Sequence, residues 1–268
     1  MNQHLKRWIT GIVAVPILLV VIYAAPLPVF ALVIAGFALA GFHEYLGMVL
    51  PRVGGPARWT AMIACGLILV AAFFGDAAYL LGVVALSIPA LFILQLRQIG
   101  TETFDLDPVY RIGFGLIYVP LLMGHFILLR ESPHGVAWIF FVIVLAFSGD
   151  IAAYYVGRTW GRRKLHVLIS PGKSEEGILG LVAGSILGCL LYRTFCFPQL
   201  SWEHAVAIGL VGSVIGQLGD LCESAVKRAS GVKDSGYLLP GHGGVLDRLD
   251  CLLVITPFVY YYQLFILR

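Results

Sequence analysis

EHAVAIGLVGSVIGQLGDLCESAVKR, residues 203–228, settles the class of fold. From Ala205 to Gly219 it carries no charge, and its acids and bases gather at the C-terminal end, in Asp220, Glu223, Lys227 and Arg228. A helix needs about 20 apolar residues to cross a bilayer, and this stretch supplies them without the alternation of a strand. The rest of the chain repeats the pattern. Of 268 residues, 59% are hydrophobic and 12% charged, against about 25% charged in an ordinary soluble domain. Mean hydropathy is +0.90. A soluble chain of this size buries about three quarters of its surface at best, too little to hide so much apolar sequence. A soluble single-core protein, a disordered chain and a nucleic-acid-binding protein are excluded. The net charge of +3 is too small to imply a polyanion partner.

Counting apolar stretches between charged breaks gives about nine transmembrane helices, near 8–24, 27–50, 59–75, 77–96, 110–129, 135–157, 178–197, 203–226 and 248–267. The expected fold is therefore all-α, a polytopic integral membrane protein. Cytoplasmic loops are enriched in Lys and Arg. Alternating sides along these spans divides the 18 basic residues 15 to 3, with only Arg130, Arg193 and Arg268 on the poorer face. That split predicts a cytoplasmic N-terminus and a C-terminus on the opposite face. No small-residue cleavage site follows the first span, so it reads as a retained helix and not a signal peptide. The five cysteines show neither CxxC nor metal-ligand spacing and read as small buried hydrophobes.

The chain divides by chemistry into 1–134, a plain set of N-terminal membrane helices, and 135–268, a catalytic membrane region with cytoplasmic loops 158–177 and 227–247. These loops and their edges hold nine of the fifteen cytoplasmic basic residues. In the first half, Glu44 is the one polar feature of interest.

Ionisable residues in or near spans are costly and are functional candidates by default. Helical spacing puts Asp220, Glu223, Ser224 and Lys227 on one face, which continues through Gly209, Gly212, Gly216 and Gly219. Span nine opens with Asp247, Arg248 and Asp250, the two acids sharing a face at i and i+3. Between lie Lys233, Asp234, and the turn of Pro240, Gly241, His242, Gly243 and Gly244. Asp247 alone reads as a helix cap, and Asp220 and Lys227 as a simple pair. Taken together, carboxylates at helix ends, basic residues and a glycine-rich turn suit phosphate and a divalent metal. Carboxylates can share Mg²⁺ with phosphate oxygens, glycine N–H groups can face a phosphate, and Lys and Arg neutralise it. Upstream stand Asp150, Tyr154, Arg158, Lys173 and Ser174. Gly172-Lys173-Ser174 is no P-loop, because Val167 occupies the position of its first glycine. Gly180, Gly184 and Gly188 form a helix-packing stripe.

Residues 224–250, SAVKRASGVKDSGYLLPGHGGVLDRLD, resemble the signature of phosphatidate cytidylyltransferases, also called CDP-diacylglycerol synthases. A second block, Asp150 to Arg158 with Gly161 and Ser170 to Gly177, is similar to the same family. Gly172, Glu175 and Cys251 depart from its pattern. The resemblance is firm over 140–268; residues 1–134 match only as hydrophobic helices. It implies that CTP and phosphatidic acid give CDP-diacylglycerol and pyrophosphate, with Mg²⁺ as cofactor and a second metal ion left open. Asp220 and Asp247 are expected as the main metal ligands, with Asp250 and Glu223 as supporting or alternate ones. Lys227, Arg228, Lys233 and Arg248 would contact phosphates. His242, Gly243 and Gly244 would fix the triphosphate or assist proton transfer. Asp234 belongs with this catalytic set. Asp150, Tyr154, Arg158, Lys173, Ser174, Glu223 and Ser224 would form the substrate wall. The setting expected is a bacterial inner membrane, with the active site on its cytoplasmic face, in a homodimer. A polyprenol kinase using CTP and an ion transporter are the competing readings. A transporter would more often place its acids near the midplane on broken helices.

Overall fold

A computed structural model describes residues 3–51, 55–75, 77–96, 106–166, 169–238, 241 and 243–267. The helices are α1 (Gln3–Ala24), α2 (Leu27–Val49), α3 (Pro56–Phe73), α4 (Ala77–Leu96), α5 (Asp107–Leu116), α6 (Leu122–Glu131), α7 (Gly135–Trp160), α8 (Glu175–Cys196), α9 (Trp202–Ala229) and α10 (Asp250–Ile266). Each apolar stretch of the sequence thus lies on helix. A π-helical turn, Ile117–Leu121, joins α5 to α6 around Pro120. Proline lacks the N–H that the α ladder needs there, so the register slips by one residue without breaking the rod.

Among the described residues, six helical segments are long and apolar enough to cross a membrane: Leu27–Val49, Pro56–Phe73, Asp107–Glu131, Gly135–Trp160, Glu175–Cys196 and Trp202–Ala229. Ala14–Ala24, Ala78–Leu94 and Asp250–Ile266 are apolar but shorter. Leu86 is 74% exposed, Leu179 72% and Phe195 79%. Outward-facing side chains of this kind suit lipid and not water. The chain is an all-α membrane protein with one small exception. Lys164–His166 (β1) and Ser170–Ser174 (β2) form an antiparallel hairpin, pairing Lys164 with Ser174 and His166 with Ser170. Pro171 and Gly172 oppose helix there. Ser174 then caps α8, its Oγ accepting the Gly177 N–H at 3.1 Å.

The chain forms two compact units. The first holds residues up to Glu131 together with Ser230–Arg248, and the second holds Ser132–Ala229 and Leu249–Arg268. Phe30, Phe42, Leu46, Ile68, Leu116 and Met123 fill the core of the first. In the second, α8 lies directly along α7. A Cβ at Gly180 would come within 2.7 Å of Val156, and those at Gly184 and Gly188 would collide with Ala152 and Ser148. The glycine face of α9 is likewise spent on packing: Gly209 meets Ile186, Gly212 meets Leu145 and Phe258, and Gly216 meets Ile255. Gly184→Val is expected to destabilise the protein by about 1–3 kcal/mol through overpacking. The check is a lowered midpoint of thermal unfolding in detergent.

Candidate active site

In the second unit, α7, the hairpin and α9 enclose a cavity of about 500 Å³ lined by Asp150, Tyr154, Arg158, Lys164, Lys173, Ser174, Gln217 and Asp220. The hairpin delivers Lys173, which pairs with Asp220. Ser224, one turn further along α9, places its Oγ 3.4 Å from Asp220 Oδ1. Lys227 pairs with Glu223, which is wholly buried. The face of α9 therefore enters two ion pairs, one with the hairpin and one along the helix. Lys227 and Arg228 lie in the last turn of α9, where the helix dipole favours cations. Asp250 opens α10 and its Oδ1 accepts the Cys251 N–H at 2.8 Å. Its backbone packs against α9 beside Asp220, where a Cβ at Gly219 would come within 2.8 Å of the Asp250 carbonyl oxygen. Arg158 donates to the Tyr154 hydroxyl at 2.8 Å.

The first unit carries the other polar constellation, on the segment 230–248. Asp247 Oδ2 accepts two backbone N–H groups, Ser235 at 3.0 Å and Gly244 at 2.9 Å. Its own N–H points to Ser235 Oγ at 3.3 Å. Ser235 Oγ donates in turn to Glu44 Oε2 on α2 at 3.1 Å, and the Leu246 N–H reaches the same oxygen at 3.0 Å. Gly243 has φ +83° and Gly241 +78°, values that L side chains rarely adopt. An open cavity of about 730 Å³ adjoins this loop, lined by His43, Glu44, Arg58, Lys233, Asp234 and Tyr237 among others.

The sequence profile of the cytidylyltransferase family matches residues 5–266. The chain belongs to that family. A Bacillus subtilis (strain 168) protein named phosphatidate cytidylyltransferase is 33% identical over 264 residues, 96% of each chain. One of the same name from Brucella suis biovar 1 (strain 1330) is 33% identical over 234 residues, 86% of this chain and 83% of its own. A third, from Haemophilus influenzae (strain ATCC 51907 / DSM 11121 / KW20 / Rd), is 41% identical over 142 residues, 52% of this chain and 49% of its own.

In this cytidylyltransferase family member, the residues singled out by sequence fall into two groups. Asp150, Tyr154, Arg158, Lys173, Ser174 and Asp220 line one cavity, and Lys233 and Asp234 line the other. Arg228 and Arg248 are exposed. His242 lies outside the described residues. Asp247 and Asp250 do not share a helix face as expected. Asp247 sits in a short 3-10 turn, Leu246–Arg248, and α10 begins only at Asp250. Asp247 is tied into the loop by the Ser235 and Gly244 N–H groups, so the turn that carries it does not continue the helix. Two groups escaped the sequence reading. Gln217 lies one turn before Asp220, and its Nε2 is buried with no hydrogen-bond partner among the described residues. His43 and Arg58 line the second cavity from the half that looked chemically plain. A lone amide or histidine in an apolar run carries no pattern, so no sequence signal marks them.

Among the described residues, no three Asp, Glu, His or Cys side chains could hold a metal ion together. Asp220 and Asp250 nevertheless lie on closely packed stretches of α9 and α10, since a Cβ at Gly219 would come within 2.8 Å of the Asp250 carbonyl oxygen. Such a pair suits Mg²⁺, which takes one or two carboxylates and fills its shell with water and substrate phosphates. The donor set fits a metal that arrives with a nucleotide better than a closed protein cage.

Proposed function

We propose that this chain transfers the cytidylyl group of CTP to phosphatidic acid, giving CDP-diacylglycerol and pyrophosphate for phospholipid synthesis. The reading rests on family membership across nearly the whole chain, supported by an acid-and-base cluster at the ends of apolar helices. A phosphate oxygen of the lipid attacks the α-phosphorus of CTP in line. The bond from that phosphorus to the α,β-bridging oxygen breaks, and pyrophosphate leaves with the electron pair. The phosphatidate dianion is itself the nucleophile, so no side chain need form a covalent intermediate. Such a transfer depends on positioning and charge neutralisation. Lys173, Lys227, Arg228, Lys233 and Arg248 supply positive charge. Glu223 keeps Lys227 in place, and Asp220 does the same for Lys173. Asp220 and Asp250 are the carboxylates that would hold Mg²⁺, and Asp247 would serve a second ion, which is left open. Bound there, the metal neutralises phosphate charge and stabilises the leaving pyrophosphate. Arg158, Tyr154, Ser174 and Asp150 form the substrate wall.

We further place the protein in a bacterial inner membrane as a homodimer with about nine spans, its N-terminus and active site on the cytoplasmic face. The acyl chains of the substrate can then stay in the bilayer while its headgroup meets a soluble nucleotide. Detergent-solubilised protein given CTP labelled at the α-phosphate tests the reaction. Label is expected in chloroform-soluble lipid, and chelation of Mg²⁺ is expected to abolish it. Transfer of γ-label instead would mean a lipid kinase.

A further inference from the structure

Glu44 is a buried carboxylate, 6% exposed, on a mostly apolar helix, and the reaction above leaves it unused. Among the described residues no cation pairs with it, and its Oε1 has no hydrogen-bond partner. A buried carboxylate without a cation costs stability. What it holds is specific. Its Oε2 takes the Ser235 hydroxyl and the Leu246 N–H, at the two ends of the loop that carries His242, Gly243 and Gly244. The Ser235 hydroxyl has one proton. By taking it, Glu44 turns the oxygen's lone pairs toward the Asp247 N–H. Ser235 N–H and Gly244 N–H then fix the Asp247 carboxylate. The loop also closes tightly on the acid. A Cβ at Gly236 would collide with Glu44 Oε1 and lie 2.6 Å from its Cδ, and one at Gly244 would lie 2.6 Å from Oε2.

We infer that Glu44 is a positioning residue for the reaction: through Ser235 it sets the orientation of the Asp247 carboxylate. The inference rests on the proposed role of Asp247. Its test compares Glu44→Gln, Ser235→Ala, Gly236→Ala, the Glu44→Gln/Ser235→Ala double variant and Asp247→Asn, as full-length detergent-purified proteins. Both kcat and KM for CTP are measured beside thermal unfolding. Glu44→Gln keeps the shape of the side chain but puts an uncharged amide before two donors. It is expected to lower kcat about 10- to 100-fold, the usual effect of losing a partner that orients a site carboxylate. Its melting temperature is expected to stay at or above that of the unmodified protein, since a buried charge is gone. Ser235→Ala is expected to act alike, and the double variant to be no worse than the poorer single one, because both break one chain of bonds. Gly236→Ala, which pushes the carboxylate aside, is expected to lower kcat in the same way. A purely structural role would instead lower the melting temperature together with activity. If Asp247→Asn loses activity while Glu44→Gln and Ser235→Ala keep full kcat, the inference is wrong. An active Asp247→Asn overturns the role of Asp247 and the inference with it. Should Glu44→Gln fail to fold, Ser235→Ala decides alone, an unchanged kcat there being the overturning result.

Discussion

Asp220→Asn is expected to reduce cytidylyl transfer at least about 10³-fold, a loss of roughly 4 kcal/mol of transition-state stabilisation. The substitution keeps the size of the side chain and removes only charge. Asp220 pairs with Lys173, and the turn of α9 that carries it packs against Asp250. Without its charge, Lys173 loses the partner that holds it and the carboxylate pair proposed for Mg²⁺ is halved. The fold itself should survive. The side chains of Lys173 and Asp220 are 23% and 32% exposed, so water can solvate the orphaned ammonium. The decisive comparison is transfer of α-label from CTP against thermal unfolding of the same preparation. Near-normal transfer would remove Asp220 from the reacting groups.

Glu223→Ala is expected to act in the opposite way, on stability first. The Glu223 side chain is 1% exposed and that of Lys227 is 13%. Removing the acid breaks a largely buried ion pair from one side, which typically costs about 3–5 kcal/mol. Replacing both partners, as Glu223→Leu with Lys227→Met, removes both buried charges and should restore most of the lost stability. It should not restore activity, because the double variant still lacks the cation assigned to phosphate. Chemical or thermal unfolding of the single and double variants, run beside the transfer assay, separates the two effects. A double variant no more stable than Glu223→Ala would show that the pair's burial is not what sets its cost.

Much of this was legible along the chain. The apolar stretches fall on helices because a run of that length has few other ways to satisfy its backbone in lipid. The glycine stripe of α8 was readable as packing because a period of four places small residues on one face. The acids and bases of α9 stood out because charge is rare in such a chain. Their partners did not. Lys227 bonds to Glu223 and Asp220 to Lys173, and helical spacing cannot decide among several permitted pairs. The break before α10 was hidden for a similar reason. It depends on Asp247 being drawn to N–H groups at Ser235 and Gly244, and on no property of residues 247–250 alone.

By itself the sequence determined the solvent of this protein, the helical character of its spans and the charged, glycine-rich regions in which we propose its phosphate chemistry. These follow from composition and local period, which act over a few turns of chain. Tertiary structure alone decided that Ser230–Arg248 packs with the N-terminal helices, and that Glu44 grips Ser235 from 191 positions away. A buried carboxylate must find donors wherever the fold supplies them, and here they come from a loop that no spacing rule connects to α2.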